Sequence, residues 1–210
     1  MKEDNRNPLL DGKPPQPLLV VLSGPSGVGK DSILMRMRDF GFPFHFVVTA
    51  TSRPMRPGER GGYDYHFVTK ERFEEMIARE ELLEWAEVYG HYKGIPKSEV
   101  RQALQSGRDV ILRIDVQGAA TIKRLAPGAV FIFLAPGSFA ELRHRLQWRR
   151  TESPDQMERR LEMAQAEMES LDQFDYVVIN REDHLDEAVG QIRAIIVAEK
   201  HRVRPRRVTL

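Results

Sequence analysis

Ser23-Gly24-Pro25-Ser26-Gly27-Val28-Gly29-Lys30-Asp31-Ser32 sets glycines and a lysine at a spacing suited to holding phosphate. Glycines let the backbone turn tightly, so several N–H groups can face one anion. A helix starting where the loop ends adds its orphan N–H groups and partial positive charge. Lys30 then reaches the outer phosphates as a mobile point charge. The spacing follows G-x-x-x-x-G-K-[ST] from Gly24 to Lys30 and departs at Asp31, where a hydroxyl ordinarily meets Mg²⁺. Ser32 comes one residue later, turned about 100° around a helix, and does not stand in for it.

Other residues suggest a second phosphate. Arg53 and Arg56 lie three apart in a loop rich in proline and glycine, with Tyr65 downstream. Two guanidinium forks and a phenol could bind an anion separate from the first. A solvated loop whose arginines only pair with Glu59 and Asp64 reads equally well from these residues alone. Asp115 ends an apolar run, the place where open α/β sheets present ligand-binding groups. It would face the phosphates or their metal. Glu84 sits among large apolar residues, and an exposed edge carboxylate is the plainer reading. Arg143, Arg145, Arg149, Arg150, Arg159 and Arg160 crowd a helix, a break at Ser153-Pro154 and the next helix. They read either as a solvated hairpin or as a lid laid over transferring phosphates. His45, among apolar neighbours, is given only a hydrogen bond at a strand surface.

The elements that must position these groups follow from the hydrophobic pattern. Buried strands are expected at 18–22, 44–48, 110–115, 130–134 and 176–180. Helices are expected after the glycine loop, at 69–79, 98–106, 138–148 and 184–200, and around Met157, Leu161, Ala164 and Met168. Segments 82–89 and 92–95 read as a hairpin. Alternating strand and helix imply a parallel sheet with helices on both faces. Residues 49–97 form an excursion from it, and 144–157 a shorter one. Residues 1–17, polar with several prolines, read as a disordered leader, and the basic tail 201–210 as disordered.

Composition bounds the rest. The chain has 210 residues, 41% hydrophobic and 30% charged, which suits one well-buried core. A net charge of +1 argues against a general nucleic-acid coat and leaves only weak contacts to the tail. There is no cysteine, hence no disulfide or thiolate, which fits a reducing compartment. No apolar run reaches the ~18 residues of a membrane span. A cytoplasmic protein is expected; an organelle protein lacking its transit peptide would read the same.

The chain resembles guanylate kinases over about residues 18–200. Gly24 through Lys30 is similar to their P-loop. Thr51-Ser52-Arg53-Pro54-Met55-Arg56-Pro57-Gly58-Glu59 through Gly62-Tyr63-Asp64-Tyr65 is similar to their T-[ST]-R-x-x-R-x-G-E-x-x-G-x-D-Y signature. Leu83-Glu84-Trp85-Ala86, Ile114-Asp115-Val116-Gln117-Gly118 and Val178-Ile179-Asn180 continue the match in order. The resemblance implies a P-loop NTPase fold: a five-stranded parallel core flanked by helices, a small mixed α/β GMP-binding insert (49–97) and a helical lid (144–157). It implies ATP + GMP giving ADP + GDP, with dGMP as a further acceptor, with Mg²⁺, and a monomer or homodimer.

By position, Gly24, Pro25, Ser26, Gly27, Val28, Gly29, Lys30, Asp31, Ser32 and Asn180 would hold ATP, Asn180 beside its base. Arg53, Arg56 and Tyr65 would hold the GMP phosphate, with Thr49 and Glu84 reading guanine, Glu59 and Lys93 also in the GMP site, and Asp115 near the acceptor phosphate and metal. Lys30, Arg53 and the lid arginines Arg145, Arg149 and Arg160 would be catalytic. Asp31 or Asp115 would meet the metal indirectly. Departures from the family pattern are Asp31, Lys93 in place of a second phosphate-binding tyrosine, Ile95 in place of a guanine-reading hydroxyl, and Arg113 in place of an acid. Arg113 and Asp31 are expected to compensate one another. Gly29-Lys30-Asp31-Ser32 also resembles the P-loop of ribose 1,5-bisphosphate phosphokinases, and a non-catalytic guanylate-kinase-like binding module is the rival from another class.

Overall fold

The computed structural model describes residues 16–88, 90–148 and 154–210. The apolar run Leu19–Ser23 (β1) is buried at every position, as a central strand covered on both faces must be. Its side chains alternate. Val20 and Leu22 join one core with Ile111, Ile132 and Val178, whereas Leu19 and Val21 join another with Val110, Leu112 and Phe131. Helices α1 (Lys30–Asp39) and α7 (Leu185–Lys200) cover the first face, and α3 (Lys97–Gln105) and α4 (Val116–Leu125) cover the second.

The main sheet has five strands in the order β2 (Phe44–Phe46), β7 (Asp109–Arg113), β1, β8 (Val130–Pro136) and β9 (Tyr176–Asn180), with every neighbouring pair parallel. The chain leaves β1 toward one side and later returns on the other. The carboxyl end of β1 is therefore where the winding changes direction, the place where such sheets form a crevice. A second sheet, β4 (His66–Phe67), β3 (Ala50–Thr51), β6 (His91–Pro96) and β5 (Leu82–Val88), is mixed. Helix α2 (Lys70–Ala78), whose first turn is capped by the Thr69 side chain, seals this sheet through Phe73 and Met76. Helices α5 (Phe139–Trp148) and α6 (Pro154–Met168) meet through Leu142, Leu146, Leu161 and Ala164.

The structure departs from the sequence reading in three places. The strand expected at 44–48 is three residues long, half-buried and at the sheet edge, because its only strand partner is β7. The strand expected at 110–115 ends at Arg113; Asp115 is instead the N-cap of α4, accepting from the Gly118 N–H at 2.7 Å. The tail 201–210 is docked rather than disordered. Glu199 on α7 is buried at 2% exposure, and Arg206 folds back to donate to both its oxygens at 2.8 and 3.1 Å. Val208 and Leu210 pack on the core covered by α3 and α4. The leader at 1–17 lies almost wholly outside the described residues, as do residues 149–153 of the expected lid.

Burial raises the Glu199 carboxyl, but bonds from Arg206 and from the Tyr176 hydroxyl outweigh it and hold it at about 2. That stabilisation is complete above the ordinary value of 4.5 and fades as pH falls toward 2. Arg206→Ala strands part of a buried charge and should cost about 2–3 kcal/mol at neutral pH. In a thermal melt the loss appears as a midpoint lower by roughly 4–10 °C. The gap from the parent should narrow as pH drops below 4.

Candidate active site

The glycine loop runs from the end of β1 to the start of α1. At Gly24 (φ +140°) a Cβ would fall 2.2 Å from the Leu134 carbonyl oxygen on β8. At Gly29 (φ +100°) it would meet the Asn180 amide nitrogen at 2.5 Å. Close approach of backbone to β8 and β9 thus demands glycine at both. Lys30 curls over the loop, its Nζ donating to the carbonyls of Gly24 at 2.5 Å and Pro25 at 3.1 Å.

Asn180, expected beside the ATP base, and Arg145, expected as a lid arginine, both brace this loop. Asn180, buried, donates from Nδ2 to the Val28 carbonyl at 2.8 Å. Arg145 donates to the same carbonyl at 3.1 Å and to the Asn180 carbonyl at 2.9 Å. Its position on α5 lays the side chain across the loop, so its donors serve backbone oxygens. Ser32 is exposed on the outer side of α1. The Asp31 carboxylate is paired with the Arg113 guanidinium from the end of β7.

Beside the loop, Thr49, Tyr65, Glu84, Lys93 and Asp115 converge on one cavity of about 140 Å³, lined also by Ile95 and Arg113. It adjoins a cleft of about 490 Å³ lined by Asp31, Glu59, Tyr65 and Arg113 among others. The second sheet, α4 and the end of β7 supply these groups, distant in sequence. At Gly118 an added Cβ would come within 3.4 Å of both the Asp115 and the Glu84 carboxyl groups, so the bare helix start lets them share the space. Burial, with the neighbouring Asp115 charge, pushes the Glu84 carboxyl up to about 7.

One flank of this cavity is cationic. Burial lowers the Lys93 ammonium, and the charges of Arg53 and Arg56 lower it further. The Tyr65 ring lies between Arg53 at 5.4 Å and Lys93 at 5.7 Å. Mutually repelling cations gathered around a phenol suit an incoming dianion. Arg53 is already engaged: its terminal nitrogens reach the Glu59 oxygens at 3.0 and 2.7 Å. Glu59 also accepts the Arg56 N–H at 2.8 Å, so it orders the arginine loop rather than pointing at a ligand. Asp64 takes the Arg60 N–H.

Glu167 on α6 is a residue that the sequence reading passed over. Burial raises its carboxyl, opposed by the Lys30 charge and a bond from the Ser26 N–H, which places it against the glycine loop. One of its oxygens, Oε2, is buried without a hydrogen-bond partner among the described residues. The available signal was a carboxylate three residues after Ala164 and one before Met168, on the apolar face of α6. Glu167 and Asp115 offer hard oxygen donors near the loop. Mg²⁺ typically takes one or two carboxylates and completes its shell with phosphates and water, and these residues fit that habit. Among the described residues no group of three or more His, Cys, Asp or Glu is arranged to hold a metal alone. Arg160 lies on α6, and Arg149 falls outside the described residues.

Comparison with known proteins agrees with this geometry. The guanylate kinase family model matches residues 16–199. The chain is 51% identical over 198 residues to "Guanylate kinase 2, chloroplastic/mitochondrial" of Oryza sativa subsp. japonica, covering 94% of this chain and 70% of that one. It is 46% identical over 193 residues to guanylate kinase of Bacillus subtilis, covering 90% and 94%. A crystal structure of guanylate kinase from Anaplasma phagocytophilum superposes with a TM-score of 0.69 at 31% identity, covering 91% of this chain and 89% of that one.

The raised Glu84 value carries a stability consequence. A carboxyl near 7 when folded and 4.5 when unfolded loses stability as pH rises through that window. Above it the buried charge is a standing cost, about 1–2 kcal/mol once residual solvent is allowed for. Glu84→Gln should therefore melt roughly 2–8 °C above the parent at pH 8. At pH 5 the two melting curves should coincide, and a pH-independent offset would refute this assignment.

Proposed function

This chain belongs to the guanylate kinase family, and we propose that its cleft moves the γ-phosphoryl group of ATP to the phosphate of GMP. The observation that carries this reading is the convergence of Thr49, Tyr65, Glu84, Lys93 and Asp115 on one cavity beside the phosphate-binding loop. An ionised Glu84 accepts from guanine N1–H and the exocyclic amine. Adenine offers no such pair of donors on that edge and would leave the carboxylate unpaired. Thr49 adds a hydroxyl. Ile95, buried and apolar, contributes shape only, so selectivity rests on Glu84 and Thr49.

Lys93, Arg56 and Tyr65 neutralise and orient the acceptor phosphate, with Arg53 held in place by Glu59. The loop N–H groups from Gly24 to Asp31 and the Lys30 ammonium hold the donor phosphates. Arg145 and Asn180 keep the loop open for them. Phosphoryl transfer needs little covalent help; it needs the phosphates in line, their charge offset and water excluded. Mg²⁺ bound with ATP supplies further charge neutralisation, with Asp115 and Glu167 as the near carboxylates. Arg160 and Arg149 are proposed to close over the phosphates with the 144–157 segment. A cytoplasmic site of action suits a chain without cysteine.

A coupled ADP-release assay with Mg-ATP and GMP, dGMP, AMP, UMP or ribose 1,5-bisphosphate tests the reading. Turnover confined to GMP and dGMP is expected. Turnover on the sugar bisphosphate would overturn it in favour of the rival kinase. Absence of any turnover by folded protein would favour a binding module. Because Glu84 must be ionised to accept from guanine, the KM for GMP should fall by roughly tenfold between pH 6 and 8. Glu84→Gln should keep only the shallower slope due to ionisation of the GMP phosphate itself.

A further inference from the structure

Arg113 closes β7, paired in register with Leu22 of β1, so it stands beside the strand that runs straight into the phosphate-binding loop. Its side chain lines both the 140 Å³ cavity and the adjoining 490 Å³ cleft. Among the described residues it is the only cation lining both. The charged groups around it are Asp31, Glu59, Asp64, Arg38 and Asp39 in the cleft, and Glu84, Asp115 and Lys93 in the cavity. Among the described residues its ion-pair partner is Asp31, which is 66% exposed and sits at the start of α1. A guanidinium carries five donors in a planar fork, and one carboxylate on Nη1 leaves others to spare. Arg53, by contrast, has both terminal nitrogens committed to Glu59.

We propose that Arg113 is a phosphate-binding residue of the acceptor site, held in reserve by Asp31 and turned toward the GMP phosphate when that nucleotide enters. The inference rests on the 140 Å³ cavity being the GMP site. The logic is competition between two anions. A phosphate dianion offers more charge and better fork geometry than one exposed carboxylate, so the guanidinium changes partner. Until then Asp31 offsets the guanidinium charge. The exchange imposes a cost on GMP affinity, since part of the binding free energy breaks the ion pair. It also places a cation between the acceptor and donor phosphates, where negative charge concentrates as they approach.

Isothermal titration of GMP and guanosine, without ATP or Mg²⁺, tests the proposal. Guanosine shares the base and lacks the phosphate, so it reports on folding and on the base cavity together. Arg113→Met should weaken GMP by about tenfold and leave guanosine within about twofold. Arg113→Lys, which keeps the charge and loses the fork, should fall between. Asp31→Asn should tighten GMP by about threefold, again sparing guanosine. In the double variant the Asp31 effect should vanish, because there is no guanidinium to release. Equal weakening of both ligands by Arg113→Met would overturn the proposal, as would tightening by Asp31→Asn that persists without Arg113. A parent protein that binds neither ligand, or binds AMP as well as GMP, would instead overturn the GMP reading on which this one stands.

Discussion

A backbone loop that turns its N–H groups inward to meet phosphate must turn its carbonyls outward, and each of those needs a partner. That accounting organises the site. Lys30 serves the carbonyls of Gly24 and Pro25, and Arg145 and Asn180 both serve Val28. The Gly29 carbonyl accepts from Ile33 in the first turn of α1. The braces come from β9 and α5, so the loop keeps its shape only while the sheet edge and the helical hairpin stay docked. Glycines at 24 and 29 permit this contact; any side chain there would push the loop off β8 or Asn180. The cost of an anion-ready loop is met by residues far along the chain.

The proposed acceptor cavity keeps opposed charges apart. Lys93, Arg53 and Arg56 lie on one side, and Glu84 and Asp115 on the other. Arg53 and Arg56 disfavour the Lys93 charge, and Asp115 disfavours that of Glu84. In the proposed reading the nucleotide relieves both, with its phosphate among the cations and its guanine donors on the carboxylate. Such an empty site holds like charges together. It is less stable than an apolar filling would be, and the stabilising buried pairs lie elsewhere, at Glu199 with Arg206 and at Asp109 with Lys200.

A small polar cluster joins the two sheets beside the apolar contacts of Leu83 and Ile95. Glu99 on α3 faces His45 from the edge strand at 3.0 Å and His66 from the second sheet at 2.7 Å, and accepts the Val48 N–H at 2.8 Å. One carboxylate therefore ties the core to the insert near the point where the chain enters it.

Much of this was legible before the structure. A phosphate loop after a buried strand, paired arginines before a tyrosine, and strand-helix alternation are local patterns, because backbone turns and periodic burial are set by neighbours in sequence. Of the residues named for the acceptor site, Thr49, Tyr65, Glu84, Lys93 and Asp115 line one cavity, while Arg53, Arg56 and Glu59 do not line it. The Asp31–Arg113 pair was legible too, and Arg53 with Glu59 was one of two readings. Other partners were not: Arg145 and Asn180 went to the Val28 carbonyl, Asp115 to a helix cap, and Arg206 to a buried glutamate. Glu167 reached the glycine loop unannounced. The sequence by itself determined the fold class, the phosphate loop, the order of the site residues and the Asp31–Arg113 pair; the tertiary structure alone decided the remaining pairings, because a charged side chain settles on the nearest well-oriented partner, and that partner lies across the fold.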